Sequence, residues 1–248
     1  MTTKTQSTFD LNKHLADEHK MTPLTVYLKE IVYGGNDGIV TTFAVVAGFA
    51  GASANIAGQL PVLTVLLFGF ANLFADGVSM SLGNFLSSKS EKDVYSTEKN
   101  KESFEIIHNT EMEKQESIEI LISRGFSRKQ AEDLIAIYMT NDAYWVDFMM
   151  SQELELPNPE GDNPYLMALA TFFSFLIFGF IPLIPYVFFT GPTLFLMSSC
   201  ATAAALGLLG SLRWKVGKQG FLRSVGETLF LGGAAAIVAY FVGTMFKI

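Results

Sequence analysis

Cysteine is nearly absent from this 248-residue sequence and histidine is scarce, with one Cys and three His. Cys200 lies in an apolar run, so no disulfide can form within the chain and no Cys-based zinc site exists. Charge is thin as well. Charged residues make up 17%, against about 25% for a soluble domain, while hydrophobic residues reach 50%. From Asn163 to Leu212 there is no charge for 50 residues, room for two spans at about 20 residues each. Residues 1–24 are polar and lack an apolar core, so a cleavable signal peptide is not expected. These deficits describe an all-α integral membrane protein.

The charge that remains is concentrated. Lys89 to Asp162 holds 17 acidic and 8 basic residues, net −9, and the rest of the chain is net +2. So acidic a segment disfavours nucleic acid and favours cations. Apolar stretches on either side predict five spans. The first runs from about Ile31 to Ala52, the second from Val62 to Leu86, and an uncharged turn at Ser53 to Pro61 separates them. The third and fourth occupy the uncharged stretch, with Pro182 and Pro185 kinking or ending the third and Thr190-Gly191-Pro192 as the turn. Ala203, Gly207 and Gly210 let the fourth approach a neighbour closely. The fifth runs from about Ser224 to Phe246.

Of 17 basic residues, 15 fall in the amino-terminal arm, the acidic insert or the 213–223 loop, Lys29 stands just before the first span, and only Lys247 lies opposite. That bias puts the arm and the insert in the cytosol. The organisation expected is a cytosolic arm at 1–24, spans 1–2 at 25–88, a cytosolic helical domain at 89–162, and spans 3–5 at 163–248.

Three helices are expected in the insert. The first is long and ends near Arg124-Gly125. The second starts at a capping box, Ser127 to Gln130. Asn141-Asp142 caps the third, which carries Trp145, Met149, Met150 and Glu153, and Pro157, Pro159, Gly161 and Pro164 end it.

Two sets of residues carry chemistry. Inside the spans stand Asp37, with Glu30 seven residues earlier, and Asn72, Asp76, Met80 and Asn84 at intervals of four. An ionised carboxylate at a helix centre costs roughly 2.5–3.5 kcal/mol on insertion scales, so such a residue faces a cavity or a partner. The plainer alternatives are that Asp37 caps a helix broken at Gly34-Gly35, that Asn72 and Asn84 join helices by hydrogen bonds, and that Met80 is packing. In the insert, Glu98, Glu102, Glu105, Glu113 and Glu116 fall within an arc of about 80° on one continuous helix. A solvated face is the plain reading. Against it, like charges at i,i+3 and i,i+4 cost about 0.2–0.5 kcal/mol per pair, a term that a bound cation reverses. His14 and His19 read as solvated. Glu227 pairs with Arg223 at the interface or serves function.

Three segments resemble a known family, the vacuolar iron transporters, which are divalent-metal/proton antiporters. KEIVYGGNDGIVTTFAVVAGFAGA at 29–52 is similar to its first-span signature and ADGVSMSLGNFLSSKSE at 75–91 to its second. RSVGETLFLGGAAAIVAYFVG at 223–243 is similar to its last span. The resemblance implies a homodimer of five-span subunits with a cytosolic metal-collecting domain. Carried over by position, Asp37 and Met80 match membrane-embedded metal ligands. Glu102, Glu105, Glu113, Glu116 and Glu153, with Met149 and Met150, match the cytosolic set. Asn72 stands where some members have glutamate, and the acid here is Asp76, one turn on.

The expectation is a transporter, not an enzyme, with no tightly bound cofactor. Its substrate would be Fe²⁺, or Mn²⁺ or Co²⁺, since carboxylate and thioether together suit such ions better than Mg²⁺ or Ca²⁺. Asp37, Asp76, Met80, Asn72 and Glu30 would line the pathway. Metal would leave the cytosol as protons enter, through a plasma membrane or a vacuole-like one. Two alternatives stand beside this. Glu105-Ile-Ile-His108 fits half of a di-iron oxidase site, and a passive divalent-cation channel needs no proton coupling.

Overall fold

A computed structural model describes residue 14 and residues 22–53, 62–217 and 220–246. His19, most of the turn after the first span, Lys218 and Lys247 lie outside the described residues. The described residues form helices and no strand. The chain divides into two compact units, Met1–Leu82 with Met167–Ile248, and Gly83–Leu166.

The first unit begins with a single turn, α1 (Pro23–Val26), N-capped by Thr22. It leads into α2 (Leu28–Ser53). Next comes α3 (Val62–His108), within which the boundary between the units falls. The chain returns to this unit in α7 (Pro164–Phe180) and continues through α8 (Ile184–Phe188), α9 (Leu194–Gly217) and α10 (Phe221–Met245). Among the described residues, four helical stretches are long and apolar enough to cross a membrane: α3, Pro164–Phe188, α9 and α10. Helix α2 has 26 residues. Lys29, Glu30, Asn36 and Asp37 lower the hydropathy of its first half.

Glycine sets how closely α2 is held. A Cβ on Gly34 would stand 2.6 Å from the Thr171 carbonyl oxygen, and one on Gly38 would collide with the Phe175 carbonyl. Successive turns of α2 and α7 thus meet backbone to backbone, the close approach that small residues permit between apolar helices. On the other flank, Gly51 meets the Tyr240 carbonyl of α10 in the same way. Around these contacts Phe43, Val46, Leu73, Phe175 and Leu183 form a buried core.

The two prolines break the third apolar stretch. Helix α7 gives way after Phe180 to a 3₁₀ turn, Ile181–Leu183, before α8. Proline has no N–H to continue the ladder and its ring clashes with the preceding turn. Ser198 on α9 donates to the Pro182 carbonyl at 2.7 Å, occupying an acceptor in the broken turn.

The second unit contains the end of α3, then α4 (Thr110–Ser123), α5 (Arg128–Tyr138) and α6 (Asp142–Gln152). The long first helix does not run on to Arg124-Gly125, because it breaks at Asn109, whose φ and ψ of −124° and 31° leave the helical region. Thr110 Oγ1 accompanies the break by donating to the Ile106 carbonyl at 2.7 Å. Asn and Thr both compete for backbone hydrogen bonds and favour such exits. The common arc drawn through Glu98 to Glu116 therefore does not exist, since Glu113 and Glu116 sit on a separate helix.

Both caps lie where the sequence puts them. Ser127 and Gln130 form a reciprocal capping box, and Asn141 Oδ1 accepts from the Tyr144 N–H at 3.2 Å. Two apolar clusters hold this unit together. Tyr95, Ile106, Trp145, Val146, Met149 and Met150 make one. Ile118, Leu121, Ala131 and Ile135 make the other. Lys99 ties α3 to α6 through Asp147 at 2.9 Å.

Candidate metal centre

The break at Asn109 brings carboxylates from three helical segments together. Glu102 on α3, Glu113 on α4 and Glu153 at the C-cap of α6 each place an oxygen within 4.8 Å of the others. Glu102 and Glu113 are buried at 4% and 2% exposure, and Glu153 is exposed. The Glu102 and Glu113 carboxyls thus face one another inside the unit. Glu102 Oε1 and Glu113 Oε2 are buried with no hydrogen-bond partner. A buried acceptor left unmade costs about 1–3 kcal/mol, and more when charged.

Electrostatics follows from that crowding. Burial, then the charges of Glu113 and Glu153, push the Glu102 carboxyl up to about 8. Glu113 is raised chiefly by burial, its closeness to Glu102 working the other way. Glu153 is raised by burial and by the charges of Glu116 and Glu105, with Lys101 opposing. Glu105 and Glu116 thus act on the cluster through charge without being part of it. Such a group holds protons at neutral pH, or a cation in their place.

Met149 and Met150 are fully buried beside Trp145. The Met149 sulfur accepts a hydrogen bond from Ser117 Oγ at 3.1 Å, and Ser117 Oγ accepts one from Trp145 Nε1 at 2.8 Å. Neither Ser117 nor Trp145 was singled out from the sequence for chemistry. A signal was present: Glu113 and Ser117 on α4 are four apart, as are Trp145, Met149 and Glu153 along α6, so each pair shares a helix face. His108 takes no part in the carboxylate cluster. It is exposed, its Nδ1 lies 2.8 Å from the Phe104 carbonyl, and its ring stacks on Phe104.

In the first unit, Asp37 and Asp76 are both half-buried and near enough for their charges to repel. Met80, one turn beyond Asp76, packs against the core around Phe43 and Phe175. Asn72 lines an open cavity of about 720 Å³ with Ala44, Gly48, Phe68, Ala75 and Val242. Glu30 is 3% exposed. Glu227 pairs with Arg223 at 2.9 Å and with Arg213 at 3.4 Å, so it serves the ion pairing considered for it at the interface.

Helices long and apolar enough to cross a membrane, with acids among them, and a three-carboxylate cluster in the second unit describe an integral membrane protein. Comparison with known proteins gives the class a name. Residues 28–244 match the model of the VIT family, and the chain belongs to that family. It is 33% identical over 259 residues to a vacuolar iron transporter of Toxoplasma gondii, covering 99% of this chain and 84% of that protein. It is 34% identical over 215 residues to vacuolar iron transporter 1 of Oryza sativa subsp. japonica, covering 86% and 82%. It is 32% identical over 229 residues to vacuolar iron transporter 1 of Arabidopsis thaliana, covering 91% and 89%. The family resemblance read from the sequence is thereby established, with a transport role in metal handling.

Proposed function

We propose that this protein exports Fe²⁺ from the cytosol in exchange for protons, as a homodimer of five-span subunits with residues 89–162 as a cytosolic collecting domain. One observation carries the reading: two buried carboxylate oxygens, Glu102 Oε1 and Glu113 Oε2, lack any partner in a three-carboxylate cluster. A divalent cation is the ligand that satisfies both and cancels the repulsion between them. The names of the relatives supply iron as the first substrate to test. Glu102, Glu113 and Glu153 hold the ion, Glu105 and Glu116 add negative potential, and Met149 and Met150 supply thioether sulfur. That mixture suits Fe²⁺, with Mn²⁺ and Co²⁺ as further substrates, over Mg²⁺ or Ca²⁺.

Helix α2 counts as the fifth span. Its low hydropathy is the mark of a helix that lines a pathway, since acids within spans face partners or water-filled cavities. Asp37, Asp76, Met80, Asn72 and Glu30 form that pathway. Asp37 and Asp76 bind either an ion or protons, and this competition couples the two flows. The insert and the amino-terminal arm face the cytosol, and the membrane is that of an organelle.

Reconstitution in liposomes is the test. An imposed pH gradient drives Fe²⁺ uptake, and Fe²⁺ uptake in turn moves protons. Asp37→Ala abolishes the flux and leaves binding by the insert intact. Wild-type flux in Asp37→Ala overturns the pathway, and Fe²⁺ flux indifferent to the pH gradient makes the protein a passive channel.

A further inference from the structure

Behind the carboxylate cluster two polar contacts link three buried side chains in an otherwise apolar interior. Trp145 Nε1 donates to Ser117 Oγ at 2.8 Å, and Ser117 Oγ donates to Met149 Sδ at 3.1 Å. Ser117 and Met149 are fully buried, and Trp145 is 1% exposed. The order of donors is forced. An indole N–H only donates, so the Ser117 oxygen accepts there and its single proton is left for the sulfur.

We propose that Ser117, oriented by Trp145, is a positioning residue for the Met149 thioether and thereby sets the preference of the carboxylate site for softer ions. The proposal rests on reading Met149 as a ligand of the transported ion. A methionine side chain has three rotatable bonds and adapts its shape easily. Tied to Ser117, it is already ordered before an ion arrives. A thioether sulfur has two lone pairs, so one accepts the Ser117 proton and the other remains for a metal. The geometry places this arrangement next to the acids. Ser117 follows Glu113 by one turn of α4, and Met149 precedes Glu153 by one turn of α6. An ion content with carboxylate oxygen gains nothing from the arrangement. One that favours sulfur finds its ligand preorganised.

The test is calorimetric titration of the purified full-length protein with Zn²⁺, which takes thioether ligands well, and with Mn²⁺, which prefers oxygen. Ser117→Ala weakens Zn²⁺ about 3- to 10-fold, the cost of ordering one flexible side chain on binding, and leaves Mn²⁺ within about twofold. Ser117→Thr keeps the hydroxyl and restores Zn²⁺ affinity. In a Met149→Leu background, Ser117→Ala has no further effect on Zn²⁺. In a Trp214→Phe background Trp145 is the sole tryptophan, and its emission shifts on addition of Zn²⁺ but not of Mn²⁺. Equal losses for both ions in Ser117→Ala mean a merely structural role and overturn the proposal. So does unchanged Zn²⁺ affinity in Ser117→Ala when Met149→Leu weakens it. A Met149→Leu variant with wild-type Zn²⁺ affinity is a different failure, because it removes Met149 from the ligand set.

Discussion

At pH 7 the Glu102 carboxyl, raised to about 8 by burial and by its acidic neighbours, holds a proton that an arriving cation must expel. At the metal site proposed above, capture of the ion is therefore coupled to release of a proton. Titration of Fe²⁺ at pH 7 in buffers of differing ionisation enthalpy should give close to one proton released per ion from this group, falling towards zero above pH 9. The same shift sets the stability of the metal-free protein. The folded carboxyl keeps its proton up to about 8 while the unfolded one loses it near 4.5, so between those values the native state binds more protons. Stability then falls as pH rises through that window and levels off above it. Glu102→Gln removes the share of the dependence that Glu102 contributes, leaving those of Glu113 and Glu153. In chelator its melting temperature should exceed the wild type's at pH 8 by several degrees, at about 4–8 °C per kcal/mol for a small domain, while its Fe²⁺ affinity drops at least tenfold. The sequence made the acids legible as a group but not their partnership. Spacing along one imagined helix put Glu102 in a single arc with Glu98, Glu105, Glu113 and Glu116, and the resemblance added Glu153. In the structure Glu102 and Glu113 instead meet from separate helices on either side of the break at Asn109, with Glu153 from the end of α6. The contact between Ser117 and Trp145, 28 residues apart, depends on tertiary packing that no local pattern encodes.

Elements whose signals are chemical and local were readable in advance. The Ser127 capping box satisfies two orphan N–H groups within four residues, and Ser127→Ala should cost about 1 kcal/mol, measurable as a lower thermal midpoint of the second unit. Pro182 and Pro185 break their helix because proline cannot donate, whatever surrounds it. Long apolar runs gave α3, α7, α9 and α10 by length. Where an element depends on its neighbours, the reading was less complete. Gly34-Gly35 raised the prospect of a broken helix, yet α2 is continuous there, and Gly34 and Gly38 serve contact with α7. Gly38→Val should overpack that contact and cost about 1–3 kcal/mol or more. A lower melting temperature and a loss of monodisperse protein in detergent would register it.

For the whole molecule, the distribution of Lys and Arg makes an orientation testable. Cys200 is the sole cysteine, so Cys200→Ser supplies a thiol-free background. A cysteine placed at exposed Glu132 should then react with an impermeant maleimide only from the side that also labels residue 5. Labelling from opposite sides would reverse the assignment of the insert. Backbone contact along α2 has a mechanical result as well. Gly34 and Gly38 press on α7, and Gly51 on α10, with no side-chain cushion between the main chains. Three helices joined in this way cannot sway separately, so any rearrangement that carries an ion across must move them as one piece. Spin labels flanking Gly38 and Phe175 should keep their separation whatever ion or pH is imposed.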